Sequence, residues 1–142
     1  MITYQPKIMD LTKTRTFTAK NRTNLVTVDN LLVPGEYRPE PFDSQEFTIL
    51  CEKMKEARRN HRPVVCFFGA HVIKCGLSKY LLWFLRNGYI THLAGNGACS
   101  IHDFELSYLG GTSEHVPTAI EDGTFGMWEE TGRWMNEAII AG

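Results

Sequence analysis

The sequence lacks the marks of several large functional classes. It has no CxxC pair: Cys51, Cys66, Cys75 and Cys99 are scattered along the chain, so neither a zinc ribbon nor a thioredoxin-type redox pair is written in it. It has no surplus of charge, with 15 Lys+Arg against 16 Asp+Glu. Without a basic excess there is no electrostatic footprint for nucleic acid, and without a polybasic run there is none for anionic lipid. No stretch approaches the roughly 20 apolar residues of a membrane span. The opening MITYQPKIMDLTKTRTF has no apolar segment of the kind a secretory signal needs. These absences lead to the expectation of a soluble cytoplasmic protein with reduced thiols, working on a small molecule or another protein chain. At 142 residues there is room for one domain with a hydrophobic core and not for two ordinary ones.

What is present follows an order. Residues 1–43 are rich in Thr, Asn, Pro and basic residues, and only NLVTVDNLLV (24–33) has strand-like apolar content. They read as an extended arm, closed by the prolines of PGEYRPEPFDS, which block helix. Asp43 and Glu46 have capping-box spacing before FTILCEKMKEARRN, where Phe47, Leu50, Cys51 and Met54 share one face; a helix over 44–60 is expected. RPVVCFFGA is a continuous apolar run between Pro63 and Gly69, the pattern of a strand buried on both faces in a parallel sheet. LSKYLLWFLRNG has Leu77, Leu81, Leu82, Phe84 and Leu85 at helical spacing and stops on Asn87-Gly88. A second short strand over 89–94, a small-residue turn and a helix from near Ser100 repeat the plan. The middle of the chain is therefore expected to be a βαβ unit with a right-handed crossover, and residues 44–142 a small Rossmann-like α/β domain with flanking helices. Two tail helices, over 114–121 and 125–140, follow, with Trp128, Trp134, Met135, Ala138 and Ile139 as packing positions. Two or three strands are fewer than an open parallel sheet needs to bury both faces. A partner chain or a further part of the protein is expected to complete it.

Ligands of open α/β sheets settle beyond the carboxyl ends of the strands, where helix N-termini and turn amides face anionic groups. Two turns fall there, GAHVIKCG (69–76) and GNGACSIHD (95–103). Gly69, Gly76, Gly95 and Gly97 allow close backbone approach, but neither turn has the GxGxxG or Walker spacing. His71 and Lys74 lie in the first turn; a lysine there can hold a phosphate, act as an amine nucleophile, or simply be solvated. His102 and Asp103 are neighbours on a helix and point about 100° apart, so they are no relay by themselves. Asp103 near a helix start has a structural explanation in the helix dipole. His102 and Glu105 do share a face, and Glu105 has the chemistry to grip ribose hydroxyls. His71, His92, His102, His115, Cys75 and Cys99 are zinc-ligating types without zinc spacing, so no metal is assigned. Zinc-dependent hydrolysis stands only as an alternative to be tested by metal content.

The stretch FFGAHVIKCGLSKYLLWFLRNGYITHLAGNGACSIHDFELSYLGGTSEHV resembles the deoxyhypusine-synthase-like superfamily. It is most similar to an uncharacterised bacterial branch with turns of the type GAHVIKxGL and NGAxxIHDFE and a later ETG, here Glu130 to Gly132. GNGACSIHD is also similar to the GNAxxxHD turn of ornithine cyclodeaminase relatives. The resemblance implies a Rossmann-like sheet that binds NAD at its strand ends, usually in a tetramer. It places Gly69, His71, Lys74 and Gly76 of the first turn, and Asn96, Gly97 and Ala98 of the second, against the dinucleotide. It implies ribose or substrate-amine contact for Glu105 and acid/base work for His102. The chemistry implied is NAD-dependent oxidation or transfer of an amine, on a polyamine or basic amino acid. Members of the superfamily are about twice this length or more, and their second half supplies further strands and, in the synthase, the lysine that forms the imine. Lys74 lies in another segment and does not inherit that role, so a split or truncated form is expected. The rival from another class is a non-catalytic assembly module whose arm and Trp-bearing C-terminal helix make the contacts.

Overall fold

The computed structural model describes residues 7–142; the first six residues of the expected arm lie outside them. The chain is a mixed helix-and-strand structure with two small sheets of two strands each. Its contacts divide it into two units, one of residues 23–115 and one combining the segment up to residue 22 with 116–142. The stretch read as an arm is thus shared between them.

In the larger unit, β1 (Val26–Thr27) pairs antiparallel with β4 (Gly111–Thr112). Between them run α1 (Gln45–Arg59), β2 (Val65–Phe67), α2 (Ala70–Lys74), α3 (Ser78–Arg86), β3 (His92–Ala94) and α4 (Gly97–Leu109). Helix α1 starts one residue later than the capping-box spacing suggests. Ser44 is the cap; its Oγ accepts the Phe47 N–H at 3.2 Å and donates to Glu46 Oε2 at 2.8 Å, which satisfies an N–H that the helix itself leaves unpaired. Strands β2 and β3 are parallel, with Val65, Cys66 and Phe67 opposite His92, Leu93 and Ala94. Helices α2 and α3 form the crossover that parallel strands require.

The core does not lie on the faces of this strand pair. Ile73, Cys99 and Leu106 form it, with Leu31, Phe68, Ala70 and Leu81 packed against them. Helices α2 and α4 pack on each other, and α4 packs on β4. Val65 is 48% and Phe67 81% exposed, so the strand expected to be buried on both faces is open. Two strands have no inner neighbours, and the helices gather beyond their ends instead of across them.

Gly76 is fixed by its surroundings. Its φ is +78°, and a Cβ there would stand 2.5 Å from the Asn30 carbonyl oxygen. Leu32 N–H donates to Gly76 O at 2.9 Å. Glycine lets the α2–α3 turn lie directly on the segment after β1.

In the smaller unit, α5 (Val116–Glu121) and α6 (Glu129–Ala141) join the N-terminal segment. Phe17 N–H donates to Met127 O and Glu129 N–H to Phe17 O, each at 2.8 Å. The Glu130 carboxylate accepts the Ala19 N–H at 2.7 Å and the Thr18 hydroxyl at 2.6 Å. These bonds, the backbone one first, hold its pKa below the ordinary carboxylate value. Trp128, Trp134 and Met135 are half-buried, whereas Ala138 and Ile139 are exposed, because the burial of α6 is confined to its first turns. Among the described residues no helix is long and apolar enough to cross a membrane.

Candidate ligand cavity at the strand ends

The parallel strands end together, β2 running into Phe68 and β3 into Gly95-Asn96. A cavity of about 370 Å³ opens at that point. Its apolar wall comes from Phe68, Ile73, Leu81, Leu82 and Leu93; its polar groups are Ser78, Asn96, Cys99, Ser100 and Asp103. Asn96 caps α4: its Oδ1 accepts the Cys99 N–H at 3.3 Å and lies 3.4 Å from the Cys99 thiol. The thiol also reaches Phe68 O at 3.6 Å. Gly95 passes so close to Cys99 that a Cβ would meet Sγ at 3.0 Å. Turn and helix start are thereby locked together, and Asn96, Ser100 and Asp103, at i, i+4 and i+7, present one face of α4 to the cavity.

Ser78 stands at the first position of α3, behind Leu77, which offers no side-chain cap. The residue lines the cavity, while its Oγ is buried away from solvent and has no hydrogen-bond partner among the described residues. An unpaired buried hydroxyl costs about 1–3 kcal/mol, and native structures rarely keep one without a reason.

The residues singled out from sequence separate into three places. Asn96 is in the cavity wall, and Gly97 and Ala98 follow it, exposed, in the first turn of α4. Nothing lies within 4 Å of a Cβ built on Gly69 or Gly97, so both leave open space beside the strand ends. His71 is exposed and Lys74 half-buried on α2, outside the cavity wall, and Gly76 is buried against the segment after β1. His102 and Glu105 form a third group. The Thr112 hydroxyl donates to Glu105 Oε2 at 2.5 Å and lies 2.7 Å from His102 Nδ1. A hydroxyl has one proton to give, so His102 Nδ1 is the donor to Thr112. Thr112 is fully buried and Glu105 3% exposed; this network fastens α4 to β4. Glu105 is two residues, about 200° of helix, from Asp103, which explains why one carboxylate meets the cavity and the other the core.

Ser78, Ser100 and Asp103 were missed from sequence as cavity residues. The i, i+4, i+7 spacing after Asn96 was the available signal for two of them. Ser78 had none, since its place depends on how α3 packs. Among the described residues no three His, Cys, Asp or Glu side chains gather as a metal site.

Fold and cavity together define a mixed helix-and-strand chain with a cavity at the carboxyl ends of a parallel strand pair. No family model matches the chain, and no curated protein or solved structure matches it either.

Proposed function

We propose that the chain is a Rossmann-like NAD-binding unit of the deoxyhypusine-synthase-like kind, serving oxidation or transfer of an amine on a polyamine or basic amino acid. The cavity at the carboxyl ends of the parallel strands, with Asn96 and Asp103 in its wall, carries this assignment. The position is where parallel α/β sheets take nucleotides, and about 370 Å³ lies at the small end of the range for ligand sites, about 300–1,000 Å³. That volume suits one half of a dinucleotide.

The residues present fit such a ligand. The Asn96 amide donates to its oxygens. Asp103 takes the ribose hydroxyls, a task that falls to it because Glu105 is held by Thr112 inside α4's other face. Gly97 and Ala98 contribute first-turn amides of α4, and the open space over Gly69 admits the rest of the cofactor. His71 and Lys74 contact it only from the rim. His102 is held at Thr112 outside the cavity wall, so it takes no part at this cavity. When bound, NAD accepts the hydride from the amine-bearing carbon.

The open edges and apolar faces of β2 and β3 support an assembly, either with other copies of the chain, a tetramer by the resemblance, or with a complementary C-terminal half. The exposed Phe67 also favours the second reading, a non-catalytic assembly module. Calorimetric titration of the purified chain with NAD, beside light scattering for its mass, separates the two. Micromolar binding by an oligomer is expected. No heat up to millimolar NAD refutes the dinucleotide assignment, and an oligomer that binds no NAD is the module.

A further inference from the structure

A second concavity, of about 620 Å³, lies at the amino ends of β2 and β3, opposite the cavity described above. It forms where two helices end. Arg58 and Arg59 come from the last turn of α1, His61 and Arg62 from the turn behind it, and Arg86 from the last turn of α3; Asn87, Gly88 and Thr91 complete the wall. Four arginines thus line one hollow in a chain whose formal net charge is −1.

Helix dipoles account for only part of this. A helix C-terminus presents about half a negative charge, so two termini offset roughly one of the four positive charges. The nearby acidic residues of α1 offset little more. Glu52 is paired with Lys55 at 2.7 Å and Glu56 with Lys53 at 2.9 Å; Arg59 and Arg62 act on these carboxylates only through space. Among the described residues, none of Arg58, Arg59, Arg62 and Arg86 forms a salt bridge. Two to three positive charges therefore remain without a counter-charge.

The frame holding them is rigid. His61 N–H donates to Arg58 O at 3.2 Å and Arg62 N–H to Ala57 O at 2.9 Å, closing the turn after α1. Gly88 N–H donates to Leu85 O at 3.0 Å, closing the turn after α3. Arg58 is seated over the Tyr89 ring, 4.7 Å from its centroid. Arginines bind oxyanions through paired N–H bonds. The charges converge in one hollow instead of running along a stripe, which suits a compact anion and not a nucleic-acid backbone.

We infer that this hollow is a binding site for a compact polyphosphorylated anion, a di- or triphosphate or a small molecule carrying one. The test is calorimetric titration of the full chain with sodium tripolyphosphate in about 150 mM NaCl. Saturable one-site binding at submillimolar affinity is expected. Arg59→Gln/Arg86→Gln weakens it by about tenfold or more, and the charge-matched pair Lys20→Gln/Lys79→Gln, which lies outside the hollow, changes it by less than about twofold. Should the first pair unfold, Arg62→Gln alone shows a loss of roughly three- to tenfold. No saturable binding, an equal loss in the control pair, equal affinity for citrate, or binding to anionic vesicles without binding to tripolyphosphate would each overturn the assignment.

Discussion

Replacing Ser78 with alanine deletes a hydroxyl that is buried at the cavity and unpartnered among the described residues. Two effects on the free protein have the same sign. Removal of the unpaired group recovers about 1–3 kcal/mol, and alanine exceeds serine in helix propensity by about half a kcal/mol at most. The free protein should therefore gain roughly 1–3 kcal/mol, which for a chain of this size raises Tm by about 3–9 °C. Binding should hardly move. The Oγ is buried away from the cavity space, so NAD affinity should stay within about twofold. Differential scanning calorimetry and NAD titration on the same preparation read both. A loss of stability would mean that the hydroxyl has a structural partner, and a marked loss of affinity would mean that it reaches the ligand.

Three other perturbations address the frame. Gly76→Ala forces a side chain into the left-handed region and against the Asn30 carbonyl; it should cost at least about 2 kcal/mol in urea denaturation, and a loss under about half that would show that this contact is not tight. Thr112→Val keeps the shape and deletes the hydroxyl between His102 and Glu105; a destabilisation of about 1–3 kcal/mol is expected, and a neutral result would mean that the network does not hold α4 to β4. The Glu130 carboxylate has a pKa lowered by its bonds to Ala19 and Thr18. Its contribution is therefore complete above the unfolded value of 4.5 and is lost as pH falls through the lower folded value. Melting curves of the wild type and Glu130→Gln should differ at neutral pH and converge in acid; a constant difference would contradict the assignment.

Both the order of the central elements and the cavity's position were legible before any coordinates. The apolar run at 64–68, the Leu-rich face of α3 with its Asn87-Gly88 stop, and the strand, turn and helix start of HLAGNGACSIHDFE are local patterns, and β2, α3, β3 and α4 follow them. Asn96 was legible because a cap and a strand-end turn are local too. The β1–β4 pairing was not: two residues at each site carry no alternation to read, and Val26 and Thr112 lie at opposite ends of the larger unit's sequence. Sequence spacing linked His102 with Glu105 correctly as helix neighbours, yet the partner that engages them, Thr112, comes from another strand.

The sequence by itself determined that α1, β2, α3, β3 and α4 form, and that glycine-bearing turns stand at the ends of parallel strands, because backbone hydrogen bonding and side-chain periodicity act over a few residues. Only the tertiary structure decided which side of α4 faces a ligand. It put Asp103 in the cavity and Glu105 in the core, left Ser78 without a partner, and gathered Arg58, Arg59, Arg62 and Arg86 around one hollow. Burial and charge convergence depend on packing between segments distant in the chain, and local pattern carries no record of that packing.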